Sequence, residues 1–138
     1  MGNDFTISTD KNKLDVAAIH DYLCNRSYWG HGRTMAAVRK SIDHSLCFGV
    51  YDKDGHLAGF ARVVTDYTVL AYLMDLFILE DYRNHGLGKM LVEHIVNDDA
   101  FKDICFWRLD TKDAHGLYRK YGFLKHTRPE RIMERRKD

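Results

Sequence analysis

Arg83, Asn84, His85, Gly86, Leu87, Gly88 and Lys89 form a short glycine-bearing turn between an apolar, strand-like run and an amphipathic, helix-like one. That arrangement suits anion chemistry. A helix start leaves its first N–H groups without intrahelical partners, and glycines, lacking a Cβ, let an oxyanion approach those donors closely. Arg83 and Lys89 add positive charge at either end of the turn. The helix dipole favours a nearby anion by roughly 0.3–1 kcal/mol at an exposed site. A pyrophosphate is the expected occupant. Asp75 is the other residue whose placement suggests chemistry, a carboxylate inside an otherwise apolar strand. Desolvation there would raise its pKa and suit it to accept a proton; a structural hydrogen-bond acceptor is the alternative.

The elements that must hold these groups follow from periodicity and turn chemistry. Phe5 and Ile7 alternate with polar neighbours and predict a first short strand. Leu14, Ala17, Ala18, Asp21 and Tyr22 recur at helical spacing, with Asp10 as a start signal, and Gly30 and Gly32 break that helix. Thr34 is a suitable N-cap for a second helix to about His44. Strands at 46–50 and 57–64 flank the hairpin signal Asp52, Lys53, Asp54, Gly55, and a third runs over 69–79. A helix over 87–97 then leads to a strand at 104–109, a crossover that requires parallel pairing and hence a mixed sheet. The last helix spans 114–121 and ends at Gly122, with edge strands expected at 123–127 and 131–135.

Two blocks in this order carry a family resemblance. Tyr82 and Arg83 follow the third strand directly, with Gly86 and Gly88 at fixed spacing. Downstream stand Ala114, Leu117, Tyr118, Gly122 and Phe123. The chain thereby resembles the GNAT superfamily of acyl-CoA N-acyltransferases over about residues 46–124. The resemblance implies a single α/β domain over 1–138, whose mixed central sheet has splayed parallel strands flanked by helices. It implies acetyl-CoA as co-substrate, its pantetheine arm bonded to main chain at Phe77 and Ile78 and its pyrophosphate held by the backbone from Arg83 to Lys89. Tyr118 takes the position of the family's general acid, with Tyr121 in a packing position. The expected activity is transfer of an acetyl group to a small-molecule or peptide amine by direct attack. A non-catalytic acyl-CoA-binding module of the same fold is the alternative. The family often places an asparagine before the alanine; Lys112 and Asp113 stand there instead.

Other candidates are weaker. Asp66, Asp110 and His44 are further choices of base, and Asp66, Asp75 and Asp110 together would favour a cationic acceptor. Tyr28 and Trp29 mark the loop between the first two helices, where Trp29 serves either as a pocket wall or as a core anchor. His20 and Cys24 share a helix face, yet no second pair at ligand spacing accompanies them, so no metal is expected.

Composition narrows the classes. With 138 residues, 45% of them hydrophobic, one proline and no low-complexity run, the chain suits one ordered domain. Its net charge of +1 gives no global field toward nucleic acid or an anionic membrane. The basic cluster Arg128, Arg131, Arg135, Arg136 and Lys137 lacks interleaved aromatics, so a solvated tail is expected. No stretch approaches the roughly 18 apolar residues of a membrane span. Three cysteines without paired spacing fit a reduced, cytoplasmic protein. A homodimer through the terminal strands is a further expectation. Nucleotide hydrolysis lacks its Gly-x-x-x-x-Gly-Lys-Ser/Thr turn, and a dinucleotide fold would need glycine at Leu91.

Overall fold

A computed structural model describes residues 4–137. Five strands make one sheet in chain order: β1 (Thr6–Ser8), β2 (Leu46–Tyr51), β3 (Leu57–Thr65), β4 (Leu70–Ile78) and β5 (Phe106–Arg108). The first three pairings are antiparallel and β4 with β5 is parallel, as the strand, helix, strand order requires. Four helices flank it: α1 (Val16–Arg26), α2 (Met35–Asp43), α3 (Leu87–Val96) and α4 (His115–Arg119). Among the described residues no helix is long and apolar enough to cross a membrane.

The helices divide between the two faces of the sheet. On one face Leu87, Leu91, Val92 and Ile95 of α3 pack with Phe48, Val50, Ala61, Val63, Ala71 and Leu73. On the other, Ile19, Tyr22 and Leu23 of α1 and Val38 and Ile42 of α2 pack with Cys47, Tyr51, Phe60 and Phe77. Fully burying one such aliphatic side chain contributes about 1.5–3 kcal/mol, so both layers hold the sheet.

β4 changes face partway along. Leu73 points toward α3, whereas Phe77, four residues on, points toward α1. Strict alternation would put both on one face. The break is a bulge: Phe60 faces Phe77 and Arg62 faces Met74, so β4 holds one more residue than β3 between these pairs. Asp75 lies in the bulge with φ 55°, a left-handed value that asparagine and aspartate adopt more readily than other non-glycine residues.

Several boundaries differ from the sequence pattern. Asp15, not Asp10, caps α1 by accepting from Ala18 N at 3.1 Å; Asp10 caps a separate short turn through Asn12 N. The helix also ends at Arg26, before the glycines, where Ser27 Oγ donates to Leu23 O and accepts from Gly30 N. Neither 123–127 nor 131–135 is a strand. Pro129 lacks an N–H to donate and begins a 3₁₀ turn, while Phe123 turns inward against Trp107 and Tyr118. The homodimer expected through terminal strands therefore loses its basis in these segments.

One buried polar atom in β2 is left without a partner, the Tyr51 hydroxyl. An unpaired buried hydroxyl costs about 1–3 kcal/mol of desolvation. Tyr51→Phe is expected to raise unfolding free energy by about 1 kcal/mol in urea titration. A loss of stability would show that the hydroxyl is satisfied.

Candidate active site

Pairing between β4 and β5 stops after three residues, at Tyr72 with Arg108. β5 ends there, and among the described residues no strand pairs with the β4 edge from Leu73 to Ile78 on this side. A cleft of about 670 Å³ opens there, with Leu73, Met74, Asp75 and Leu76 along one wall. Tyr28, Trp29 and Arg33 from the loop after α1 form a second wall, and Asp110, Thr111, Lys112, Leu117 and Tyr118 a third. A second cleft of about 860 Å³ lies beneath the C-terminal segment and shares Tyr72, Asp110, Thr111 and Tyr118 with the first.

Asp75 sits at the floor with its side chain only 1% exposed. Its Oδ2 accepts from Arg62 Nε at 2.6 Å and Arg33 Nη1 at 2.7 Å, and its Oδ1 accepts from Trp29 Nε1 at 2.8 Å. Arg62 also donates to Ser45 Oγ at 3.0 Å. Burial pushes the carboxyl upward, but the Arg62 and Arg33 charges and hydrogen bonds outweigh it and hold the group below the usual carboxylate range. The raised pKa expected from the sequence is thus reversed. The expectation considered desolvation of a lone carboxylate, whereas two guanidinium groups far apart in sequence converge on it. A carboxylate so engaged is a poor base.

Tyr118 stands where the two clefts meet. Burial pushes its phenol up to about 12. Among the described residues its hydroxyl has no hydrogen-bond partner, so the proton is free to be given to something in the cleft. Tyr72, a residue the sequence pattern did not single out, donates a hydrogen bond to Asp110 Oδ2. Its own phenol is pushed up to about 12 by burial and by that carboxylate. The available signal was a polar aromatic on the strand face where pairing ends.

At the far end of the open edge lies the glycine turn. Gly86 is the N-cap of α3 at φ 73°, no side chain caps the helix, and a Cβ at Gly86 would meet nothing within 4 Å. The first turn of the helix is thus open to an incoming oxyanion. Asn84 also adopts a positive φ, 70°, and the His85 ring lies 6.0 Å from that of Phe5. Arg83 departs from the simple expectation of a free charge: Nε donates to Ile78 O at 3.1 Å and Nη2 to Tyr22 Oη at 2.9 Å. Its side chain braces the turn against β4 and α1. Free positive charge comes instead from Lys89 and Lys120, close enough that Lys89 pulls the Lys120 pKa down. An anion between two such ammonium groups relieves their repulsion.

The remaining candidates fall elsewhere. Phe77 and Ile78 lie past the cleft, further along the open edge toward the turn; the Phe77 ring stacks on Tyr22 at 4.1 Å. Asp66 caps the loop before β4 through Thr68, Val69 and Leu70 N–H groups, and does not line the cleft. His44 closes α2, and the His20 ring bonds Arg33 O at 3.0 Å, fixing the loop that presents Arg33. Trp29 is a cleft wall bonded to Asp75, which decides between the two alternatives for it.

The result is an α/β sheet split on one side, with an uncapped helix start at one end of the slit and a phenol in the cleft at the other. Residues 43–125 match the acetyltransferase (GNAT) domain. A crystal structure from Xanthomonas campestris pv. campestris, of a protein assigned to the gnat family as an acetyltransferase, is 39% identical. It superposes with a TM-score of 0.92 over 96% of this chain and 92% of that one. The acetyltransferase-assigned protein FG08082 of Gibberella zeae is 28% identical over 69% of this chain and 63% of its own length. The uncharacterized N-acetyltransferase ycf52 of Gracilaria tenuistipitata var. liui is 34% identical over 62% of this chain and 50% of its own. This chain therefore spans between half and two thirds of the length of these two curated relatives. It belongs to the GNAT acetyltransferase family.

Proposed function

We propose that the protein is an N-acetyltransferase that moves an acetyl group from acetyl-CoA to the amine of an acceptor bound in the cleft. The observation that carries this is the open edge of β4, which leads from the Tyr118 cleft to Ile78, from where a short 3₁₀ turn and the glycine turn connect to the uncapped start of α3. Acetyl-CoA supplies a thioester, and the acceptor amine displaces its thiol. The backbone N–H groups from Gly86 to Lys89 hold the pyrophosphate, with Lys89 and Lys120 beside them. The main chain at Phe77 and Ile78 lies along the pantetheine arm, and Arg83 positions this stretch through the Ile78 carbonyl. As the amine nitrogen bonds to the acyl carbon and the carbon–sulfur bond breaks, Tyr118 gives its proton to the departing sulfur. The nitrogen loses its proton to water, Asp75 being unsuited to take it. Cys24, Cys47 and Cys105 are all unpaired, which suits a reducing compartment such as the cytoplasm.

Calorimetric titration with acetyl-CoA tests the proposal. Micromolar-range binding is expected for the wild type. Gly86→Glu is expected to weaken it at least 100-fold, since the substitution forces a Cβ onto a left-handed residue and places a carboxylate at the anion site. Equal affinity in the two proteins would dismiss the cradle. Binding without thiol release from any amine would leave the non-catalytic module as the better description.

A further inference from the structure

The cleft floor holds more positive charge than its carboxylate needs. Among the described residues Asp75 is the one buried anion there, and Arg62, its side chain 11% exposed, already provides a counter-charge and is anchored on Ser45. Arg33 brings a second guanidinium to the same Oδ2. Its side chain is 22% exposed and lines the cleft. Only Nη1 is engaged; among the described residues the Nε and Nη2 donors of Arg33 have no partner. That free edge is the one whose parallel N–H groups match the two oxygens of a carboxylate or phosphate. The other charges lining the cleft are Lys112, Arg136, Asp110 and Asp113, two of each sign and all exposed, so water screens them. Asp110 is further occupied by Tyr72. The half-buried surplus on Arg33 therefore sets the sign of the floor, opposite to the cationic preference that three aspartates suggest from the sequence.

Resting on the acetyl-transfer reading, we propose that the acceptor is an amine carrying a paired-oxygen anion, a carboxylate or phosphate, and that Arg33 binds that anion through its free edge. The cleft volume is that of a small-molecule site, and Trp29 and Tyr28 supply an apolar wall for the segment between anion and amine. Arg33 is held for this task from three sides: its carbonyl by His20, its guanidinium by Asp75, and the adjacent Thr34 as the N-cap of α2.

The test is titration of the protein, in saturating CoA, with glutarate, inorganic phosphate and putrescine, followed by indole emission, since Trp29 bonds Asp75 beside the site. Saturable response to glutarate or phosphate is expected, with putrescine at least tenfold weaker. The tighter of the two anions identifies the source. Arg33→Gln is expected to raise the anion Kd at least tenfold while leaving CoA affinity by calorimetry within about twofold. Arg33→Lys, which keeps a charge beside Asp75 but lacks the fork, is expected to weaken anion binding too. Absence of any anion response, equal binding of putrescine, or an unchanged Kd in both variants would overturn the proposal. Failure of acetyl-CoA to bind while glutarate still does would remove the transfer reading and leave the anion site standing.

Discussion

Asp75→Ala is expected to destabilise the protein by about 3–5 kcal/mol, the usual consequence of removing one partner from a buried ion pair. The remaining Arg62 and Arg33 guanidinium groups would face each other at the cleft floor, with Trp29 Nε1 also unpaired. Against a total of about 5–15 kcal/mol for a domain, such a loss decides whether the chain stays folded at 37 °C. Urea denaturation followed by circular dichroism measures it, and a loss under about 1 kcal/mol would show that water reaches and relaxes the site. The same pair has a pH signature. Its folded pKa lies below the unfolded one, so its contribution is complete above the unfolded carboxylate value near 4 and is lost as pH falls through the folded value. Acid destabilisation below about pH 4 is therefore expected to be shallower in Asp75→Asn than in the wild type.

Tyr118→Phe is expected to lower kcat by about 100-fold or more, in the range of lost general-acid catalysis, with acetyl-CoA affinity unchanged within about twofold. The phenol, pushed up to about 12, keeps its proton through the ordinary assay range. A wild-type rate that climbs with pH as the acceptor amine deprotonates, with no decline below about pH 10, is the matching profile. Unchanged turnover in the variant would leave Tyr118 as a packing residue against Phe123.

Much of this was legible because main-chain chemistry writes itself into residue type. Glycine at position 86 is the residue that reaches φ 73° at least cost, and Thr34 capped α2 as its side chain allows. The crossover fixed the parallel pairing of β4 with β5, and the strand run at 69–79 differs from β4 by one residue at each end. What stayed hidden depends on pairs distant in sequence. Arg62 and Arg33 lie 13 and 42 residues from Asp75, and no spacing pattern connects them. The bulge was equally invisible, since the apolar run continues through it on both sides. The terminal strands failed for another reason: short apolar pairs, Phe123 with Leu124 and Ile132 with Met133, were present, but Pro129 and the inward turn of Phe123 took the backbone out of any ladder.

Asp75 joins two duties in one residue. Its left-handed backbone belongs to the kink that opens the slot beside β4, and its carboxylate holds the arginine that gives the pocket its sign. Glycine at this position would ease the kink and release the arginine; glutamate would keep a charge but resist the kink. Asparagine tolerates the backbone nearly as well as aspartate while giving up the ion pairs. Remodelling the charge of the pocket therefore begins most directly at Arg33 or Trp29, because exchanging the residue beneath them breaks both ion pairs at once and, with any replacement that resists a left-handed backbone, the kink as well.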